Sequence, residues 1–409
     1  MPTATIDIDR VRAEFPALKV RVRGDRPLVY LDNAASTQKP QCVIDTVTRF
    51  YTERYSNVHR GVHQLSELAT ADFEETRSKL QRFLNAAKTS EIIFTHGSTE
   101  AVNLVAYGLT DRIGKGDEIL ISEMEHHANI VPWQMLCQRS GATLKVVPID
   151  DNGDLMMDRF DDLLGPKTKL VAMSHTSNAL GTRNPVEEIC AKAKAAGAWT
   201  LLDGAQAAAH EPIDVQALGC DFLVLSGHKM YGPTGVGILY GRYELLDSLP
   251  PFLGGGDMIE TVTFEKTTYR ELPNRLEAGT PDIAGVIGLS AAIDFLERWG
   301  LDAIGAHEQE LLDEATRQLG AIPQVRLIGT AKKKGAIVSF VVDGIHAHDM
   351  GTMLDLEGVA VRAGHHCAQP LMQRFSVPAT VRASMAIFNN RNDIDALSRA
   401  IHRAIEVFA

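Results

Sequence analysis

Lys229 is the first residue of this 409-residue chain whose setting promises chemistry, in the string Ser226-Gly227-His228-Lys229-Met230-Tyr231-Gly232-Pro233-Thr234-Gly235-Val236-Gly237. It follows the apolar run Phe222-Leu223-Val224-Leu225 and precedes a glycine-rich bend. Lysines ordinarily stay at hydrated surfaces. One delivered from the end of a buried strand loses its proton more easily and becomes a nucleophile able to form a Schiff base. A surface lysine in a turn is the plainer reading of the segment alone, so its partners decide.

Asp203 closes the strand Trp199-Thr200-Leu201-Leu202, where a carboxylate is costly unless a cation meets it. A protonated pyridine nitrogen is such a cation, and pairing it with Asp sharpens pyridoxal phosphate as an electron sink. A helix cap or a structural salt bridge is the alternative. One βαβ-type step separates Asp203 from Lys229 and brings both to one sheet edge. His96-Gly97-Ser98-Thr99-Glu100 follows the strand Glu91 to Thr95 and opens a helix. Small residues there present N–H groups and the helix dipole to a phosphate, or act only as a Ser/Thr N-cap. After the strand Glu118 to Ser122 come His126 and His127, which in extended chain point apart and make poor ligands for one metal. One imidazole facing the site would stack on a ring and exchange protons near neutrality.

A second polar loop follows the strand Gly358 to Val361: Arg362-Ala363-Gly364-His365-His366-Cys367-Ala368. A thiol flanked by Arg362, His365 and His366 is expected to have a lowered pKa and to serve as a nucleophile. A zinc site from the same residues is the rival, but consecutive residues rarely converge on one tetrahedral ion and no second ligand pair is evident. Arg382, within Thr380-Val381-Arg382-Ala383-Ser384, needs an anion on its apolar stretch, either a substrate carboxylate or a structural partner.

The elements that must position these residues are α/β in character. Short apolar runs at Ile92, Ile119, Leu144, Leu170, Leu201 and Phe222 alternate with helical stretches such as Pro185 to Ala196, which predicts a mainly parallel mixed sheet with covered faces. Beyond Pro250-Pro251-Phe252-Leu253-Gly254-Gly255-Gly256 the text up to Thr280 reads as hairpin or irregular, and a helix over Ile283–Trp299 leads to a smaller α+β unit. That unit is expected to hold a helix over 301–320, strands at 325–328, 336–342 and 359–362, and helices over 347–357 and 393–408. The predicted division is residues 1–30 packing on the small domain, 31–290 as the large domain, and 291–409 as the small domain.

With 45% hydrophobic and 23% charged residues the composition is that of a soluble globular protein. The net charge of -11 argues against nucleic acid or an anionic membrane as partner. No run reaches the roughly 18 apolar residues of a spanning helix, and MPTATIDIDRVRAEF has no apolar signal core, so a cytoplasmic location is expected. The five cysteines, Cys42, Cys137, Cys190, Cys220 and Cys367, are widely spaced and resemble neither a disulfide framework nor paired zinc ligands.

SGHKMYGPTGVG and RAGHHCA, in combination, resemble the lysine segment and nucleophile loop of the SufS-like cysteine desulfurases, fold-type I pyridoxal phosphate enzymes of the class V aminotransferase family. The resemblance runs from the VRAEFP segment to the terminal helix. It implies a Schiff base on Lys229, Asp203 at the pyridine nitrogen, Gln206 at the phenolic oxygen and His126 stacked on the ring. It implies a phosphate held by Ser98 or Thr99, Ser226 and His228, with Thr280 supplied by the other subunit of a homodimer. Arg382 and Asn178 would hold the substrate carboxylate, Cys367 would attack the substrate sulfur, and Arg362 and His59 would be site neighbours. L-cysteine would become alanine with a persulfide on Cys367, passed to a SufE-type or SufU-type acceptor for iron–sulfur cluster assembly. His348 would be either a satisfied helix-start histidine or an imidazole offered to a zinc-bearing acceptor. No resident metal is expected. The alternatives are a selenocysteine lyase or other carbon–sulfur lyase, a kynureninase-like hydrolase or aminotransferase, and a non-catalytic metal or sulfur carrier.

Overall fold

The computed structural model describes residues 6–409. Residues 1–5, which the sequence reading assigns to the N-terminal segment, lie outside them. Seven strands form the principal sheet: β1 (Ile92–Thr95), β2 (Glu118–Ser122), β3 (Thr143–Val147), β4 (Thr168–Ser174), β5 (Trp199–Asp203), β6 (Phe222–Ser226) and β7 (Gly237–Gly241). Their spatial order is β1-β7-β6-β5-β4-β2-β3, with β7 alone running against its neighbours.

The strand runs are apolar on both faces because both faces are covered. Leu223 and Leu225 of β6 pack with residues of α1 (Gln64–Phe83) and a later helix, Ile283–Trp299. Phe222 and Val224 point the opposite way, onto Ala101, Val102 and Val105 of α2 (Ser98–Gly108). The alternation is the period-two geometry of a strand. Parallel strands also bring their carboxyl ends to one edge, so the segments after β1, β2, β4, β5 and β6 converge there.

Further along, α3 (Val186–Ala195) covers β4 and β5, and α4 (Ile283–Trp299) is followed by α5 (Leu301–Gly320). A second sheet of β8 (Val325–Ile328), β9 (Ile337–Val342), β10 (Arg362–Gly364) and β11 (Thr380–Ser384) has the order β8-β9-β11-β10. It is backed by α5, α6 (Ala347–Leu356) and α7 (Arg391–Phe408). Asn390 and Asp393 cap α7 reciprocally, satisfying N–H groups that its first turn would leave open.

One expected element divides. The strand predicted over 359–362 is two: Val359–Ala360 pairs in parallel with Val29–Tyr30, and Arg362–Gly364 joins the second sheet. The N-terminal segment touches both layers. Phe15 packs on Tyr231, Phe295 and Phe388 in the core beside the principal sheet, while Val29 belongs to the core of the second.

Candidate active site

Lys229 ends a helical turn, Gly227–Lys229, at the carboxyl end of β6. The turn is closed by Gly227 N–H to the Val236 carbonyl (2.9 Å) and Gly232 N–H to the Gly227 carbonyl (3.0 Å). A Cβ on Gly227 would lie 2.6 Å from Val236 Cγ1, which is why only glycine serves. The carbonyl of His228 accepts from Thr37 N (3.1 Å), Thr37 Oγ1 (3.1 Å), Ser36 Oγ (3.3 Å) and Lys39 Nζ (2.9 Å). Thr37 Oγ1 in turn accepts from Tyr231 N at 3.0 Å. The peptide that aims Lys229 is thus clamped from one side by residues 36–39.

Burial lowers the pKa of Lys229, and Arg382 lowers it further, against the pull of Asp203. Burial also raises the pKa of Asp203, against the pull of Lys229. Asp203 Oδ1 accepts from Ala205 N at 3.0 Å. His126, partly buried, has its pKa pushed down to about 4 by burial and then by Lys229, so it is a neutral imidazole. Its Nδ1 accepts from Ala128 N at 3.0 Å. Gln206 gives its amide N–H to the Ala34 carbonyl at 2.7 Å.

Where β1 ends beside β7 the two backbones approach closely. Gly97 has φ +143°, and a Cβ on Gly237 would lie 2.3 Å from Gly97 Cα. Ser98, buried at the start of α2, donates its N–H to Ser226 Oγ (3.1 Å), which donates to Ser98 Oγ (2.9 Å). Thr99 is exposed. His228 is neutral, its pKa lowered to about 4 by burial and the Lys229 and Lys39 charges. Thr280 and His59 line a cavity with His96, Glu100 and Asp257 that reaches Thr95 and Val236 beside the Gly97–Ser98 turn. His59 turns one ring nitrogen to Glu74 (2.9 Å) and the other toward Asp257 (3.4 Å), so within this chain it serves a carboxylate pair.

Cys367 is exposed. His366 and Cys367 both adopt left-handed backbone (φ +52° and +55°), a conformation that costs about 1–3 kcal/mol at a non-glycine residue. The loop is held from the principal sheet. His127 N donates to the Cys367 carbonyl (2.7 Å), His127 Nε2 accepts from Gln369 N (3.1 Å), and Asn178 Nδ2 donates to the His366 carbonyl (2.7 Å). His126 and His127 thus divide their work, one facing Lys229 and one the loop. Two of the three cations expected around the thiol are otherwise engaged. His366 is neutral, its pKa lowered to about 3 chiefly by burial, and bonds Thr380 Oγ1 (2.8 Å); Arg362 is paired with Asp32 at 2.7 Å. Even so, the thiol lies close enough to Lys229, Arg362 and Arg382 to act on their charges. Among the described residues no cluster of His, Cys, Asp and Glu is arranged to hold a metal.

Arg382, 2% exposed, donates Nη1–H to the Asn178 carbonyl (2.8 Å) and reaches Asp32 at 3.4 Å, leaving Nε–H without a partner. Burial lowers its pKa to about 10. Asn178 spends its amide nitrogen on the loop and leaves Oδ1 without a partner. His348 is exposed and does not cap α6; the cap is His346 Nδ1, accepting from His348 N at 3.2 Å.

Sequence reasoning passed over the segment Leu31-Asp32-Asn33-Ala34-Ala35-Ser36-Thr37. Asp32 meets both arginines, the Ala34 carbonyl meets Gln206, and Thr37 meets the Lys229 turn. The available signal was a run of small and polar residues directly after apolar Val29-Tyr30-Leu31, the same strand-to-loop punctuation used for the other motifs.

Comparison with known proteins places the chain in a family. The "Probable cysteine desulfurase 1" of Mycobacterium leprae is 51% identical over 98% of this chain, which spans 66% of that relative's length. The "Cysteine desulfurase" of Klebsiella pneumoniae strain 342 is 50% identical over 98% of both chains. The crystal structure of the cysteine desulfurase CsdA from Escherichia coli superposes with a TM-score of 0.92 at 39% identity, covering 99% of this chain and 100% of that one. These neighbours share the fold-type I architecture, and since the aminotransferase class-V profile matches residues 29–397, the chain belongs to the aminotransferase class-V family.

Proposed function

We propose that this protein is a pyridoxal 5'-phosphate-dependent cysteine desulfurase, converting L-cysteine to L-alanine and leaving a persulfide on Cys367. The observation that carries the reading is one convergence: a buried Asp203 within electrostatic reach of a partly buried Lys229, with an exposed Cys367 within electrostatic reach of the same lysine. The relatives' names support it.

The residues suit the cofactor. Asp203 offers a carboxylate where a ring nitrogen needs one, neutral His126 offers a flat face, and the Gly97–Ser98 turn with Ser226 offers N–H and hydroxyl groups to a phosphate. When bound, pyridoxal phosphate supplies an electron sink for the pair released as the Cα–H bond breaks. Lys229 supplies the covalent anchor and then, its pKa lowered by burial, the base that takes the Cα proton. Arg382 presents its unpartnered Nε–H to the substrate carboxylate, and Arg362 adds a second guanidinium nearby. The Cys367 sulfur attacks the substrate sulfur, the C–S pair stays with carbon, and the substrate's thiol hydrogen ends, in net terms, on Cβ of alanine.

Thr280 is exposed, which accords with a homodimer in which it serves the neighbouring site. The fully exposed Val62 and Phe264 are apolar residues such an interface would cover. Exposed Cys367 accords with sulfur delivery to a SufE-type or SufU-type acceptor, and so to iron–sulfur cluster assembly. L-selenocysteine is the alternative substrate, and a cytoplasmic location is our expectation.

The decisive experiment measures alanine and sulfide formed from L-cysteine by wild type and Cys367→Ala. Wild type should be yellow, bleach with borohydride and form both products; the variant should stay yellow and lose sulfur release. Colourless protein that binds zinc, or full activity in Cys367→Ala, would overturn the reading.

A further inference from the structure

Glu125, just beyond the end of β2, is fully buried, and none of the groups bonded to it carries a charge. A carboxylate so placed is costly unless donors surround it. Oε1 accepts from Ser122 Oγ (2.5 Å) and Ser174 N (2.9 Å), and Oε2 accepts from Ser174 Oγ (2.5 Å) and Asn129 Nδ2 (2.7 Å). Burial raises its pKa, while these bonds pull it down. Two of the donors cannot reverse their sense. Ser174 N–H is backbone, and the fully buried Trp133 fixes the Asn129 amide by donating its indole N–H to Asn129 Oδ1 at 2.9 Å. One fixed donor meets each carboxylate oxygen, so the side chain at 125 must accept at both ends, which glutamine cannot do.

The carboxylate ties the end of β2 to the end of its neighbour β4, and it fastens the turn over residues 126–129 from both sides. Glu125 precedes that turn, and Asn129, whose N–H donates to the His126 carbonyl at 2.8 Å, closes it. The two imidazoles in between both serve the site. His126 lies within electrostatic reach of Lys229, and the His127 N–H holds the Cys367 carbonyl at 2.7 Å. An apolar side chain at 125 would fill the space but strand the Ser174 and Asn129 donors, at about 1–3 kcal/mol each. We propose that Glu125 is a positioning residue of the site, holding His126 toward the cofactor and His127 against the Cys367 loop through one buried carboxylate. The His126 half rests on the desulfurase reading; the His127 half stands on the bonds to the loop alone.

The test compares wild-type holoenzyme with Glu125→Gln and with the swapped pair Glu125→Gln/Asn129→Asp. In the single variant an amide N–H is forced against a fixed donor. In the swapped pair that N–H donates to the new carboxylate at 129, which still accepts from Trp133, while the Ser174 hydroxyl turns to accept. The visible circular dichroism of the bound cofactor, which reports how its ring is held, should weaken in Glu125→Gln. Alkylation of Cys367 by iodoacetamide should accelerate by about tenfold, the scale of one hydrogen bond to a charged group. Both signals should return to wild-type values in the swapped pair, the non-additivity of residues in direct contact, which a general loss of stability would not produce. Wild-type signals in Glu125→Gln, or no rescue in the pair, would overturn the proposal. If Glu125→Gln does not fold, Ser174→Ala deletes a single hydroxyl donor, and unchanged signals in that variant would overturn it equally. Alkylation needs no turnover, so it judges Glu125 even if wild type makes no alanine from L-cysteine, a result that would sink the desulfurase reading instead.

Discussion

Lys39 Nζ donates to the carbonyl of His228 at 2.9 Å, so a lysine ammonium steers the peptide that precedes Lys229. Its second bond goes to the Thr37 carbonyl at 2.8 Å, and among the described residues no carboxylate pairs with it. Burial lowers its pKa to about 8, against an ordinary 10.5. The folded value is the lower one, so between these limits the unfolded chain holds more protons and folding becomes more favourable as pH rises. Denaturant midpoints between pH 8 and 10.5 should rise in wild type, and Lys39→Met should flatten the slope. An unchanged slope in the variant would show that another group is responsible.

Asp203→Asn removes the carboxylate expected at the cofactor's ring nitrogen. Loss of one preorganised electrostatic partner typically costs about 100- to 1,000-fold in rate. The variant should keep cofactor on Lys229, as the visible spectrum reports, while alanine production falls by about that factor.

Asn178→Ala should loosen the Cys367 loop by deleting the bond from Asn178 to the His366 carbonyl. A hydrogen bond contributes about 0.5–1.5 kcal/mol net, so loop opening should become about two- to tenfold more frequent. Alkylation of Cys367 by iodoacetamide, followed by intact mass, should accelerate by up to that factor. Cys190 and Cys220, buried with raised thiol pKa values, should remain unmodified in both proteins.

Arg77 is a structural counterpart to these site residues. It lies in α1, 1% exposed, and binds Glu277 (2.7 Å), Glu74 (2.9 Å) and the Ile92 carbonyl (2.7 Å) while covering the Phe94 ring. Arg77→Met leaves the nearly buried Glu277 carboxylate and the half-exposed Glu74 without their cation and should cost about 3 kcal/mol in chemical denaturation. It should also loosen the stretch that carries Thr280, since Glu277 sits three residues away.

Much of this was legible in the sequence. Lys229, Asp203 and the Ser98 turn follow apolar strands whose direction is forced by the βαβ pattern, so their meeting at one edge could be anticipated from order alone. The environment of Cys367 could not. Its string shows three potential cations, but burial makes His366 neutral and Asp32, far away in sequence, captures Arg362. The partners of His59 could not be read from sequence for the same reason, because Glu74 and Asp257 become its neighbours only after α1 folds against the loop at 257. Local text reveals which residues are unusual; their ionisation depends on partners supplied by distant segments.

Asp32 and Arg362 stand 330 positions apart in the chain, and the contacts of Ala34, Thr37 and Lys39 are likewise with residues far downstream. This has a consequence for recombination among relatives. A chimera that takes its first residues, up to Lys39, from one parent and the remainder from another inherits the arginine counter-charge and the lysine clamp from a different ancestor than the groups they serve. Viable crossovers should therefore tolerate exchange on the outer helices while demanding that this early segment travel with the strands carrying Arg362 and Arg382.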